Sequence, residues 1–283
     1  VTGFFLALRE MVKAFPTAMG AGILIAVCCS FLGTLVVLKR LVFIGATLSQ
    51  TAACGIAAAF FYHLHPFLGA VVFNLAAVTL LALSTEEERV PRDAVMAMVF
   101  ILTSSLSVLL VSKTAEGLDE VHSLLYGDLI ITSSADLHVL LWVLVPLTVL
   151  VLLFFRPLLY TFVDRDEAKI LGIRVRFWEL FFYYILGIVV SGASKVAGML
   201  LVFCYLVIPA MTALMVSNRL RDAIAISILL AVFSTLFGFY FSYVHDFPTN
   251  QVIAVTSCLM LGVVLAGKRI FGSLASIFFS VSR

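Results

Sequence analysis

Long apolar runs alternate with short polar breaks from residue 16 to residue 267. About 20 apolar residues at 1.5 Å each are needed to cross roughly 30 Å of hydrocarbon. On that measure the pattern predicts nine membrane-crossing helices, at 16–38, 44–62, 66–83, 94–112, 137–155, 178–193, 196–216, 222–242 and 251–267. Ahead of them Phe4, Phe5, Leu8, Met11, Val12 and Phe15 recur at helical spacing opposite Arg9, Glu10 and Lys13. That spacing predicts a helix in the membrane interface, and the segment lacks the apolar centre of a cleavable signal peptide. If it crosses instead, there are ten spans. The expected fold is an all-α polytopic transmembrane bundle of one domain over residues 1–283.

Composition agrees with the pattern. Hydrophobic residues make up 63% of the chain, charged residues 12%, and the mean hydropathy is +1.18, too apolar for a soluble core. A formal charge of +2 provides no nucleic-acid surface, so the placement of the basic residues matters more than their sum. The longest polar island runs from Arg156 to Arg176 and contains Asp164-Arg165-Asp166-Glu167-Ala168-Lys169. With that island in the cytoplasm, 14 of the 18 Lys and Arg fall on inside segments and 4 outside. The positive-inside rule then places the C-terminus in the cytoplasm. A short charged helix between spans is a docking place for a cytoplasmic partner.

No Asp, Glu, Lys, Arg or His falls deep in any predicted span. Ion-coupled carriers and intramembrane hydrolases need such groups at depth, so an external energy source is expected. Cys28, Cys29, Cys54, Cys204 and Cys258 all lie within spans without a CxxC pair and read as small packing residues. His63 and His65, at the outer end of the second span, are either interfacial side chains or, with Cys54, weak candidates for a metal site. His122 and the His245-Asp246 pair map to outward segments and are candidates for contact with an external partner. Thr103, Ser104, Ser105 and Ser107 read as helix–helix hydrogen-bonding groups.

Lys39-Arg40-Leu41 followed by Gly45-Ala46-Thr47-Leu48-Ser49-Gln50-Thr51-Ala52-Ala53-Cys54-Gly55 resembles the signature of the zinc and manganese permease family of ATP-binding-cassette importers. In that family a basic pair leads into Gly-Asp-x-Leu-Ser-His-Ala-x-x-Pro-Gly. Four further segments agree in order: Leu125–Leu129, Glu167–Ile173, Gly198–Val202 continuing to Leu206–Ala213, and Phe241–Tyr243 continuing to Asp246–Thr249. From the first to the last, the five segments span residues 39 to 249.

The resemblance implies an importer-type permease in the inner membrane of a bacterial-type cell, paired as a homodimer. It implies two cytoplasmic ATPase subunits, which carry the ATP and magnesium, and an external solute-binding protein; this chain itself needs no cofactor and is not an enzyme. The segment from Asp164 to Ile173, within the 156–177 loop, matches the family's coupling helix, so Asp166, Glu167, Lys169 and Gly172 are the candidates for ATPase contact. Ser49, Gln50, Thr51 and Cys54 are the candidates for lining the path. The family's Asp and His stand here as Ala46 and Gln50, and its Pro as Cys54. An amide is a poor substitute for carboxylate or imidazole around zinc or manganese. Two alternatives therefore remain open: the same fold importing a metal chelate or small organic solute, and a non-transporting scaffold that docks an ATPase.

Overall fold

The structure, a computed structural model, describes residues 15–83, 92–112, 127 and 129–281, without the side chains of 83, 92, 165 and 270–281. The N-terminal interfacial segment and His122 lie outside the described residues. The elements are α1 (Pro16–Leu38), α2 (Val42–Phe61), α3 (Pro66–Leu83), α4 (Arg92–Val111), a single 3₁₀ turn (Leu129–Ile131), α5 (Ser134–Leu153), α6 (Phe155–Val163), α7 (Arg165–Ile170), α8 (Val175–Val216), α9 (Leu220–His245) and α10 (Thr249–Val281). All are helical. Seven of these helices are long and apolar enough to cross a membrane, and α3 is a shorter apolar helix.

The short joints between helices have identifiable caps. Pro16 opens α1, where its missing N–H costs nothing. At the end of α1, Arg40 takes a left-handed conformation (φ 60°), Leu41 N–H donates to Val36 O at 3.2 Å, and Arg40 N–H donates to Val37 O at 2.9 Å. His63 (φ 55°) closes α2 in the same way, with Leu64 N–H on Ala59 O at 2.7 Å. This pairing satisfies the orphan carbonyls of a helix end in two residues, and it turns α1 into α2 and α2 into α3 with almost no loop.

Because lipid is as apolar as leucine, hydrophobicity does not sort the interior from the rim; side-chain size does. α2 carries Gly45, Thr47, Ser49, Thr51, Ala52, Ala53, Gly55, Ala57, Ala58 and Ala59, and 89% of its apolar stretch is buried. The corresponding share is 22% for α4 and 17% for α5, which turn Ile101, Leu109, Trp142 and Leu153 outward. Small residues let backbones touch. A Cβ on Gly55 would fall 2.4 Å from Gly69 O, and one on Gly33 would fall 2.0 Å from Leu206 O.

α8 is interrupted at Gly198, whose φ of 72° and ψ of 162° are not helical. Its start and its later part lie close to one stretch of α1: Glu179 reaches Lys39, and Leu206 lies against Gly33. Twenty-seven residues of straight helix would separate Glu179 from Leu206 by about 40 Å, so the chain doubles back at Gly198. The first half runs antiparallel to α3, with Gly187 near Asn74 and Gly192 near Phe67. The return half runs parallel to α10: Asn250 Nδ2 donates to Ala197 O at 3.0 Å, Cys204 Sγ reaches Ala254 O, and the Lys268 ammonium donates to Met215 O. The sequence places a gap between runs at 194–195; the observed break lies a few residues later, at the glycine.

Candidate transport path and coupling surface

The four path candidates sit together on the buried middle of α2, but they face different neighbours. Gln50 Nε2 donates to Ser107 Oγ on α4 at 3.4 Å, and Ser107 in turn donates to Ser104 O at 2.8 Å. Thr51 donates back to Thr47 O at 2.7 Å, while Thr47 reaches Phe43 O and, across to α4, Met96 O at 3.3 Å. Cys54 is fully buried. Ser49 differs: its Oγ is buried and has no hydrogen-bond partner. An unpaired buried hydroxyl costs about 1–3 kcal/mol, so its position needs an explanation beyond packing. Seven residues, or about 10 Å, separate Ser49 from Ile56 on one face of α2.

Ile56 is part of the wall of a cavity of about 280 Å³, where the end of α2, the starts of α3 and α5 and the turn-back of α8 converge. Phe60, Thr132, Asp136, Ser194 and Lys195 also line it. Lys195 Nζ donates to Asp136 Oδ1 at 2.8 Å, while Ser133 Oγ donates to Asp136 Oδ2 at 2.8 Å and accepts Asp136 N–H at 3.1 Å. Ser194 Oγ is another buried hydroxyl without a partner. The sequence alone does not show this polar cluster, because Asp136 and Lys195 are 59 positions apart in the chain.

His63 and His65 are exposed on the α2–α3 turn, and no group of three or more His, Cys, Asp or Glu that could hold a metal exists among the described residues. His245 stacks on Phe241 (ring centroids 4.3 Å) and Phe247 (6.0 Å). Asp246 adopts a left-handed conformation at the end of α9 and lines a separate cavity of about 340 Å³ with Phe15 and Tyr243. Both residues are exposed at that end of the bundle.

The polar island forms two helices. α6 packs onto the bundle through Leu158, Thr161 and Phe162, all buried. α7 begins at Asp164, whose Oδ1 accepts Asp166 N–H at 2.9 Å and Glu167 N–H at 3.1 Å, an N-cap. It ends at Gly172 (φ 73°), with Ile173 N–H on Ala168 O at 2.9 Å. Gly172 therefore terminates the helix through its left-handed backbone. Lys169 pairs with Asp166 at 3.0 Å, both exposed, and Glu167 is exposed beside them. Ala168 is buried against the bundle, whereas Ile170 and Leu171 are 84% and 62% exposed. Ile170 at the end of α7 and the adjoining Leu171 thus leave two aliphatic side chains free on a polar segment, which a count of charges misses.

Where α6 meets the bundle, Lys39 at the end of α1 is clasped on three sides. Its ammonium lies 2.9 Å from Glu179 Oε1 on α8, 4.8 Å from the Phe162 ring centroid and 4.6 Å from the Tyr183 ring centroid. Both charged side chains are only 8% exposed. The clasp joins α1, α6 and α8 at one point, next to the helix that carries α7.

The chain is thus a multi-pass helical membrane bundle with a broken central helix and a capped polar helix held beside it. Residues 11–268 match the ABC 3 transport family, to which the chain belongs. It is similar to the manganese transport system membrane protein MntC of Listeria monocytogenes, at 26% identity over 91% of each chain. It is also similar to the high-affinity zinc uptake system membrane protein ZnuB of Buchnera aphidicola, at 28% identity over 85% of this chain and 93% of that one. A probable iron transport system membrane protein of Haemophilus influenzae is 27% identical over 87% of each. Among solved structures, PsaBC from Streptococcus pneumoniae in complex with Fab shares the fold, with a TM-score of 0.82, 21% identity, and coverage of 92% of this chain and 95% of that one.

The buried clasp makes a quantitative prediction. Lys39→Met leaves the Glu179 carboxylate buried without its cation and should cost about 3–5 kcal/mol, whereas Lys39→Met with Glu179→Gln removes both charges and should recover most of that loss. Thermal unfolding of the purified variants in detergent measures both. Equal melting of the single variant and the parent would remove the clasp.

Proposed function

We propose that the chain is the membrane-spanning subunit of an ATP-binding-cassette importer for a divalent transition metal of the manganese, zinc and iron group. It would work as a homodimer by alternating access, with ATP hydrolysed on separate cytoplasmic subunits and cargo delivered by an external solute-binding protein. Family membership and the manganese, zinc and iron relatives support the class of cargo. The single observation that carries the coupling role is α7: a helix capped at both ends that buries Ala168 and presents Ile170 and Leu171 outward.

Nine crossings fit the contacts best, with the two halves of α8 counted separately. On that count the alternation places residues 39–41, 154–174, 217–219 and 268 on one side, and 62–65, 133 and 246–248 on the other. The basic residues make the first side cytoplasmic. Movement of α7 on the ATPase would pass through α6 to the Lys39–Glu179 clasp, and so to α1 and α8 together. The turn-back of α8 at the far end carries Ser194 and Lys195, so one rigid helix links the cytoplasmic surface to the outer cavity.

A chelated metal or small organic solute is the second reading. The observation that favours it is local: Ala46 brings no ligand, and Gln50 is committed to Ser107.

Ile170→Glu with Leu171→Glu changes exposed side chains only, so the permease should fold and reach the membrane as before. The ATPase subunit should no longer co-purify, or its hydrolysis should lose its response to cargo. Full retention of both association and coupling would eliminate α7 as the docking element. For orientation, an impermeant thiol reagent added outside cells should modify Ser134→Cys and spare Ile170→Cys in a cysteine-free background; the opposite pattern would invert the topology.

A further inference from the structure

The outer cavity carries more than its place in the bundle requires. Its rim holds one carboxylate, Asp136, whose Oδ1 is occupied by the ammonium of Lys195 at 2.8 Å, with the two side chains 30% and 25% exposed. Thr132 is on the wall with its hydroxyl turned to Leu129 O, and Ser194 is there with its hydroxyl unpaired. About 10 Å deeper along the same face of α2, Ser49 Oγ is unpaired as well. The described polar groups along this line are oxygen donors and one ammonium; it has no thiolate or imidazole.

We propose that this cavity is a transient receiving site for a hard divalent cation, with Asp136 as its charged ligand, Ser194 Oγ as a neutral one, and Lys195 as a tethered cation that holds the carboxylate when cargo is absent. This inference rests on the reading of the chain as a divalent-metal importer. An ammonium and a metal ion compete for the same oxygen, and both bind it through charge. In the empty state Lys195 neutralises Asp136, so the vestibule does not trap stray cations. An arriving dication displaces the ammonium to the rim and keeps several of its waters, for which the cavity has room. With Lys195 still near, the loaded site carries excess positive charge. A conduction site must be favourable enough to enter and weak enough to leave, and this repulsion supplies the weakness. The all-oxygen donor set suits manganese and gives no preference to softer ions. Selectivity at this step would thus come from hard-ligand chemistry, in a chain whose Ala46 and Gln50 offer neither carboxylate nor imidazole.

The test uses the full permease with its ATPase subunit in lipid nanodiscs, and Mn²⁺ alone as the probe, followed by equilibrium dialysis and by electron paramagnetic resonance of the free ion. Lys195→Met removes the competitor and should tighten Mn²⁺ binding about fivefold, while Lys195→Arg, which keeps a cation there, should bind as the parent does. Asp136→Asn should weaken binding about tenfold, and adding Lys195→Met to it should restore nothing, because the ligand is gone. Ser194→Ala, which disturbs no hydrogen bond, should weaken binding with no change in melting temperature, and this keeps the test sharp if the Asp136 variant folds poorly. If the parent moves manganese or zinc but the Lys195, Asp136 and Ser194 variants all bind Mn²⁺ as the parent does, the vestibule site is wrong and the importer reading stands. If the parent complex neither binds nor moves any divalent metal, both fall together.

Discussion

Hydrocarbon offers no partner to a free peptide group, so a chain in a membrane can leave its helical ladder only where protein completes the hydrogen bonds. Gly198 is that place. Its backbone reverses the direction of α8, Asn250 from α10 donates to the adjacent Ala197 carbonyl, and a Cβ on Gly127 would fall 2.5 Å from Gly198 N. The reversal lets the return half of α8 lie against the small residues of α1 and α2, where Leu206 meets Gly33 and Gly45. Just before it, at the end of the first half, Lys195 pairs with Asp136 and Ser194 lines the cavity with no partner for its hydroxyl.

The opposite end of the bundle is arranged by charge. A lysine and a glutamate with 8% exposure each are costly to keep there, and pairing offsets the cost only because the geometry is good and two aromatic rings face the ammonium. Hydrophobic side chains of similar size would hold the helices at least as well. What the ion pair adds is one arrangement of α1, α6 and α8 relative to one another. This joint adjoins α6, which leads into the helix that leaves Ile170 and Leu171 exposed.

Much of this architecture was legible in the sequence. The spans, the polar island and the family resemblance all follow from hydropathy, Lys and Arg placement and five short segments. The ABC 3 transport family agrees with the resemblance, and the described helices agree with an all-helical multi-pass bundle, though seven of them, not nine, are long and apolar enough to cross a membrane. What escaped it has physical causes. Hydropathy cannot separate lipid-facing from buried residues, so the depth of α2 emerged only through its glycines and alanines packed on α3 and α8. Gly172 is a candidate for ATPase contact through the resemblance to the coupling helix; its second role, ending α7 through a left-handed backbone, does not follow from that resemblance. The Asp164 cap, the exposed Ile170 and Leu171, and the Asp136–Lys195 pair were missed because each depends on which face a side chain takes or on contacts across dozens of residues. Gln50 and Ser49 are neighbours in sequence, yet one is bonded to α4 and the other is left unpaired, a distinction that needs coordinates.

The central claim is that this chain moves a divalent transition metal inward at the expense of ATP hydrolysed elsewhere. Its most direct test is uptake of radiolabelled manganese or zinc by proteoliposomes containing the permease and its ATPase subunit, with the solute-binding protein on the outer side and ATP enclosed. Accumulation of metal that requires hydrolysable ATP and the binding protein, and that stops when a non-hydrolysable analogue replaces ATP, is the outcome expected. Robust ATP hydrolysis by the same complex with no accumulation of either metal, under conditions where a chelate or an organic solute does accumulate, would contradict it.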